Sequence, residues 1–191
     1  MRLISATLLI ATFATAATPI SPRVREYRRN AVGKRTLIGS AAGAGIAHAR
    51  NSPHQWGRGP SGFAKRFGSR LGQHVAKESI QFGVAAAHHE NLHYQRSRKH
   101  GTLPRMGDAV KHTFIVPKTN RRGKKTLALG RVSGNMGAGM LSQAWQPAAG
   151  VGAGVASGGI GLGADVGVNM AREFWPRRKH KRALRPRVRK R

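Results

Sequence analysis

Small residues recur four apart along this chain, and larger apolar residues run beside them. The rows are Gly39, Gly43 and Ala47; Gly68, Gly72 and Ala76; Ser79, Gly83 and Ala87; Gly130, Gly134 and Ala138; and Gly159, Gly163, Gly167 and Ala171. Four-residue spacing stacks side chains on one face of a helix. Between 61 and 88, Phe63, Phe67, Leu71 and Val75 line an apolar face, opposed by Lys65, Ser69, Gln73 and Lys77 with Arg66, Arg70, His74 and Glu78 beside them. This pattern predicts an amphipathic helix with a solvated basic side, opened by Ser61 as N-cap. A second helix is expected over 36–49, stopped by the Pro- and Gly-rich loop NSPHQWGRGPSG. Pro104 is compatible with a helix start, and the β-branched end of PRMGDAVKHTFIV leads into a short hairpin near 113–128. Asn120 and Gly123 sit in its basic turn, and Pro117 restricts it to an edge position. Helical spacing resumes at Gly130 and again after Pro147. The expected fold is mainly α: a small bundle of about four to five Gly/Ala-rich helices, a short β-hairpin and disordered basic termini.

Glycine costs a helix interior about 1 kcal/mol relative to alanine. Its repeated use suggests backbones in close approach, the small-xxx-small packing familiar in membranes; a Gly/Ala-rich soluble bundle is the alternative. The stretch GGIGLGADVGVNMAREFWP, 158–176, concentrates the pattern. On a helix, Gly159, Gly163, Gly167 and Ala171 make one smooth face, while Gly161, Asp165, Asn169 and Glu173 lie opposite. An isolated span is disfavoured, because an acid near a bilayer centre costs about 2.5–3.5 kcal/mol on insertion scales. The expectation is a packing seam on the glycine face with Asp165 and Glu173 on a polar stripe.

Charge then narrows the partners. Among 191 residues, 35 are Lys or Arg and 6 are Asp or Glu, a formal charge of +29. Such an excess calls for anionic partners or tolerated self-repulsion. There is no cysteine, so neither disulfides nor thiolate chemistry arise. The opening residues MRLISATLLIATFATAATP carry a basic start, an apolar run and the A-x-A sequence Ala14-Thr15-Ala16. They read as a signal peptide over 1–16. A basic segment follows over 17–35, then a helical domain over 36–176 and a basic tail over 177–191, expected to be disordered. Arg177, Arg178, Lys179, Lys181, Arg182 and Arg185 in the tail are candidate polyanion contacts. Export argues against nucleic acid as the natural partner, and aromatics are only 6%, none interleaved with the tail.

Three motifs look like chemistry. His89, Glu90 and His93 spell HExxH, which on a helix sets two imidazoles one turn apart for zinc with the glutamate as general base. A third ligand is missing: no glutamate follows until Glu173, and Arg96 and Lys99 stand where the longer zinc signature needs Gly and His. Polar histidines at a helix end are the alternative reading. Gly57 to Gly62 matches GxGxxG, but no strand precedes it and Pro60 interrupts it, so it reads as a turn into a helix N-terminus. Neither Gly33-Lys34 nor Gly123-Lys124 is followed by Ser or Thr, so neither is a P-loop.

The blocks NSPHQWGRGPSGFAKRFGSRLGQHV, HENLHYQRS, GNMGAGMLSQAWQP and REFWP, in that order, resemble a family of uncharacterised exported bacterial cell-envelope proteins. In that family a W/Y-G-x-G-x-x-G-F/Y-x-K-R-F-G block is followed by an acidic x-x-R-Y element, a glycine-rich GN helix and a closing K/R-E-F-W-P. The resemblance covers about 45–176. It implies a helical envelope protein and carries over no catalytic residue or cofactor. His93 stands where the family has arginine before the tyrosine, which makes HExxH a product of an HE-x-x-R-Y element.

These readings converge on an exported, non-enzymatic, membrane-associated envelope protein in the periplasm or cell envelope, without cofactor. Anionic lipid or an envelope polyanion is the expected partner, with self-association through the glycine faces. A soluble periplasmic polyanion-binding protein using its tail is the alternative, and an HExxH zinc hydrolase the second.

Overall fold

The computed structural model describes residues 21–120, 123–147 and 150–175. The order of elements is α1 (Pro22–Val32), α2 (Lys34–Ala49), a 3-10 turn (His54–Trp56), α3 (Pro60–Ala87), α4 (Thr102–Phe114), β1 (Ile115–Pro117), β2 (Lys125–Leu127), α5 (Leu129–Ser142) and α6 (Val151–Phe174). The fold is mainly helical with one antiparallel hairpin, in the register Ile115–Leu127, Val116–Thr126 and Pro117–Lys125. The expected signal peptide over 1–16 and the basic tail over 177–191 lie outside the described residues.

Helix α5 is the middle of the bundle, packed on α3 along one side and on α6 along another. The α3 contact uses one of the small-residue rows. A Cβ added at Gly130 would sit 2.9 Å from both the Ala85 Cβ and the Gln81 carbonyl oxygen, and one at Gly134 would sit 2.9 Å from the Lys77 carbonyl oxygen. Only glycine permits backbones this near. The other rows are looser: Cβ atoms added at Gly39, Gly68 or Gly83 would meet nothing within 4 Å, and those at Gly43 and Gly72 would make only ordinary contact with the side chains of Arg70 and Trp145. Gly39, Gly68 and Gly83 face open space.

The polar face expected on α3 is partly internal. Arg66 is 1% exposed, not solvated. Its Nε donates to Ser52 O (2.9 Å), Nη1 to Gly57 O (2.7 Å), and Nη2 to Pro53 O (2.8 Å) and Asn51 Oδ1 (3.3 Å). The guanidinium thus fastens the 51–57 loop onto α3. Phe63, by contrast, is exposed. The loop carbonyls need donors, and an arginine supplies five in a fixed fork, so loop satisfaction overrides the amphipathic pattern. Ser61 is not the cap either: Gly59 occupies the N-cap position and Pro60 opens the helix.

Helix α1 arises within the expected basic segment. Ser21 Oγ accepts from the Val24 N–H and Pro22 starts the first turn. Its inner face is pinned: Tyr27 packs on Phe82 (centroids 5.1 Å), Tyr27 Oη meets Ser79 Oγ (2.8 Å), and Ala31 is buried.

The interior is unusual in content. The buried apolar residues are Val116 and otherwise alanines, while the largest fully buried side chains are Arg66, Glu173, Thr113 and Ser142. Larger apolar residues, including Ile38, Val151, Ile160 and Trp175, stand exposed.

Candidate functional site: the two faces of the last helix

Helix α6 meets α5 through glycines, but not through the expected row. A Cβ added at Gly139 would lie 2.6 Å from Gly158 N, and one at Gly158 would lie 2.9 Å from Met136 Cα. Gly154 is likewise closed off by the Met140 backbone, and Gly161 by Asn135 Oδ1. The intramolecular seam is therefore Gly154, Gly158 and Gly161. Gly159, Gly163 and Gly167 have open space where a Cβ would go, and Ala171 is exposed.

The cause is the polar row. Continuing down the inner face, Asp165 Oδ1 receives Lys77 Nζ at 2.6 Å and its Oδ2 receives Asn135 Nδ2 at 2.8 Å. Asn169 Nδ2 donates to Thr113 Oγ1 of α4 at 3.0 Å, with Asn169 buried. Glu173, 1% exposed, accepts from Arg105 Nε (2.9 Å), Tyr94 Oη (2.7 Å) and the Ser97 N–H (3.0 Å). A buried carboxylate is tolerable only when paired and hydrogen-bonded. Because donors for this row stand on α3, α4, α5 and the 94–97 segment, the helix turns its acids inward and leaves its glycine face outside.

These contacts set the ionisation of the row. Burial alone raises the Glu173 carboxyl, but the bonds from Tyr94, Arg105 and Ser97 prevail and hold its pKa below 4.5. Burial, then the Glu173 hydrogen bond and charge, push the Tyr94 phenol well above its ordinary range. Of the chain's six acids, four others have such tasks or none. Asp108 receives Lys99 Nζ and Ser97 Oγ, both at 2.7 Å, and Glu26 pairs with His93 (2.9 Å). Glu78 makes no hydrogen bond among the described residues, and burial raises its pKa.

The remaining acid is Glu90 of HExxH. The 89–93 segment is not a helix: His89 has φ 55°, and Glu90 bridges to Lys118 of the hairpin region. The Glu90 carboxylate accepts the backbone N–H groups of Leu129 (3.1 Å) and Gly130 (3.0 Å), capping the N-terminus of α5. His93 is exposed beside Glu26, so the two histidines do not converge on a metal with Glu90 as base. Among the described residues no three His, Asp or Glu side chains form a metal-holding group.

The outward face of α6 carries Val151, Val155, Ala156, Gly159, Ile160, Gly163, Ala164, Gly167, Val168 and Ala171, all exposed and none polar, with Arg172 exposed beside them in the last turn. By length and composition α6 could cross a bilayer, with mean hydropathy 1.3 over its best window, of which only 11% is buried. One further group was missed in the sequence. The outer side of α1 presents Arg25, Arg28 and Arg29 around a cleft completed by Val32. The Ser21-Pro22 cap and the Tyr27/Ala31 spacing are the signals that could have exposed this helix. The tail candidates Arg177, Arg178, Lys179, Lys181, Arg182 and Arg185 lie outside the described residues. No family model, curated protein or solved structure matches the chain.

Proposed function

We propose that this is an exported, non-enzymatic cell-envelope protein that associates with a membrane through the small, apolar outward face of α6. The observation that carries the reading is the inverted distribution of side chains: arginine, glutamate and alanine inside, valine and isoleucine outside. Soluble proteins bury large aliphatic residues first, whereas a helix against lipid gains by exposing them. The acid that weighed against lipid contact, Asp165, faces Lys77 and Asn135 and is absent from the outward face. The positive charge of the chain favours an anionic leaflet. The apparent signal peptide and the resemblance to exported envelope proteins point the same way.

Membrane fractionation with salt washes tests this. The native protein should sediment with membranes and resist high salt, and Ile160→Glu should release it, because residue 160 is 73% exposed and its replacement leaves the inner row intact. A freely soluble protein in the periplasmic extract would sink the reading. Release of the native protein by salt alone would favour the polyanion-binding alternative.

A further inference from the structure

We propose that the outer face of α1 is a binding site for a phosphate or phosphate-ester group, held by the guanidinium groups of Arg25, Arg28 and Arg29. The three side chains and Val32 line a cleft of about 460 Å³. Their positions, 25, 28, 29 and 32, share one face of the helix.

The fold holds these charges together against their repulsion. A helix of 11 residues is marginal alone in water, and Arg25 faces like charges three and four positions on. Tyr27, Ala31 and Glu26 anchor the opposite face, so the arginines are displayed on a fixed ledge. No acid makes an ion pair with them among the described residues. The acids that could have done so face other groups: Glu26 turns to His93, and Glu90 caps α5. The aliphatic stems and Val32 form most of the cleft wall, and the three unneutralised guanidiniums are exposed at its rim, where each planar fork offers paired N–H donors to two oxygens of a multiply charged tetrahedral oxyanion. No aromatic side chain lines the cleft, so a stacked nucleobase has no platform there.

The test uses the full chain, the variant R25K/R28K/R29K and the variant R25A/R28A/R29A. Lysine preserves the charge and removes the fork. Calorimetric titration with inorganic phosphate is one arm. Flotation with phosphatidylglycerol vesicles against phosphatidylcholine vesicles is the other. If the ligand is a free phosphate, the native chain binds inorganic phosphate and the lysine variant binds it about tenfold more weakly or worse. If the source is a lipid headgroup, the same loss shows only with phosphatidylglycerol. Both outcomes support the site. Equal behaviour of native and lysine chains in both arms would overturn it, leaving charge without geometry. Circular dichroism checks that the exposed substitutions leave the helices formed.

Discussion

Two glycines five positions apart on α6 should respond to alanine with opposite signs. At Gly158 the new methyl would lie 2.8 Å from Met136 Sδ, 2.9 Å from Met136 Cα and 3.1 Å from the Asn135 carbonyl oxygen. The sulfur can swing away, but the Cα and the carbonyl belong to α5 backbone. Overpacking of this kind costs about 1–3 kcal/mol. The better helix propensity of alanine returns about 1 kcal/mol, so Gly158→Ala should lose about 1 kcal/mol net, within a range of about 0–2 kcal/mol. At Gly163 the methyl meets nothing within 4 Å, and Gly163→Ala should gain about 0.5–1 kcal/mol. For a chain of this size each kcal/mol moves the melting temperature by roughly 2–4 °C, so the two midpoints should separate by roughly 5 °C. Lipid-free thermal melts followed by far-ultraviolet circular dichroism read the difference. If Gly163→Ala proves the more damaging, the packed seam is the Gly159, Gly163, Gly167 row after all, and the assignment of inner and outer faces fails.

Other substitutions probe the acids. Glu173→Gln should lose about 2–3 kcal/mol at neutral pH, since it weakens a buried charge-assisted network. The native Glu173 pKa lies below its ordinary 4.5, so its stabilisation is present above pH 4.5 and disappears as pH falls through the lower folded value. The gap between native and variant in urea midpoints should therefore close on acidification. Glu78 carries the opposite sign: burial raises its pKa above 4.5, so its ionised form opposes folding as pH rises past that value. Glu78→Gln should raise the melting temperature at neutral pH and do nothing in acid. Glu90→Ala should cost about 1–2 kcal/mol by uncapping α5. His93→Ala, which removes only an exposed pair, should cost under about 1 kcal/mol, and neither loss should depend on added zinc.

Periodicity made the helices legible. Spacing alone located α2, α3, α5, α6 and the hairpin, because apolar and small residues recur at helical or alternating intervals whatever they pack against. It did not settle which face turns inward. The glycine row of α5 at Gly130 and Gly134 is a seam, yet the same pattern on α6 at Gly159 and Gly163 faces outward. The difference lies in distant partners, Lys77, Asn135, Thr113 and Arg105, which only the folded chain brings beside Asp165, Asn169 and Glu173. Helix α1 was hidden by its arginines, whose repulsion three and four positions apart disfavours an isolated helix; tertiary contact through Tyr27 compensates. HExxH, kept only as a second alternative, carries three fixed letters that specify no backbone, and the backbone there is a bridge to the hairpin.

The Arg66 cage has a consequence for how the sequence can drift. Three of its bonds end on main-chain oxygens, those of Ser52, Pro53 and Gly57, which every amino acid supplies. The side chain at position 52 can then change with little penalty, while the arginine that reads only its carbonyl cannot. Tolerance and constraint are thus split between the two sides of that contact, with the residue at 52 loose and the arginine fixed. A saturation library across 50–70 should show that asymmetry: depletion concentrated at Arg66 and at Gly62, whose missing side chain leaves room for the Trp56 and Gly57 carbonyls.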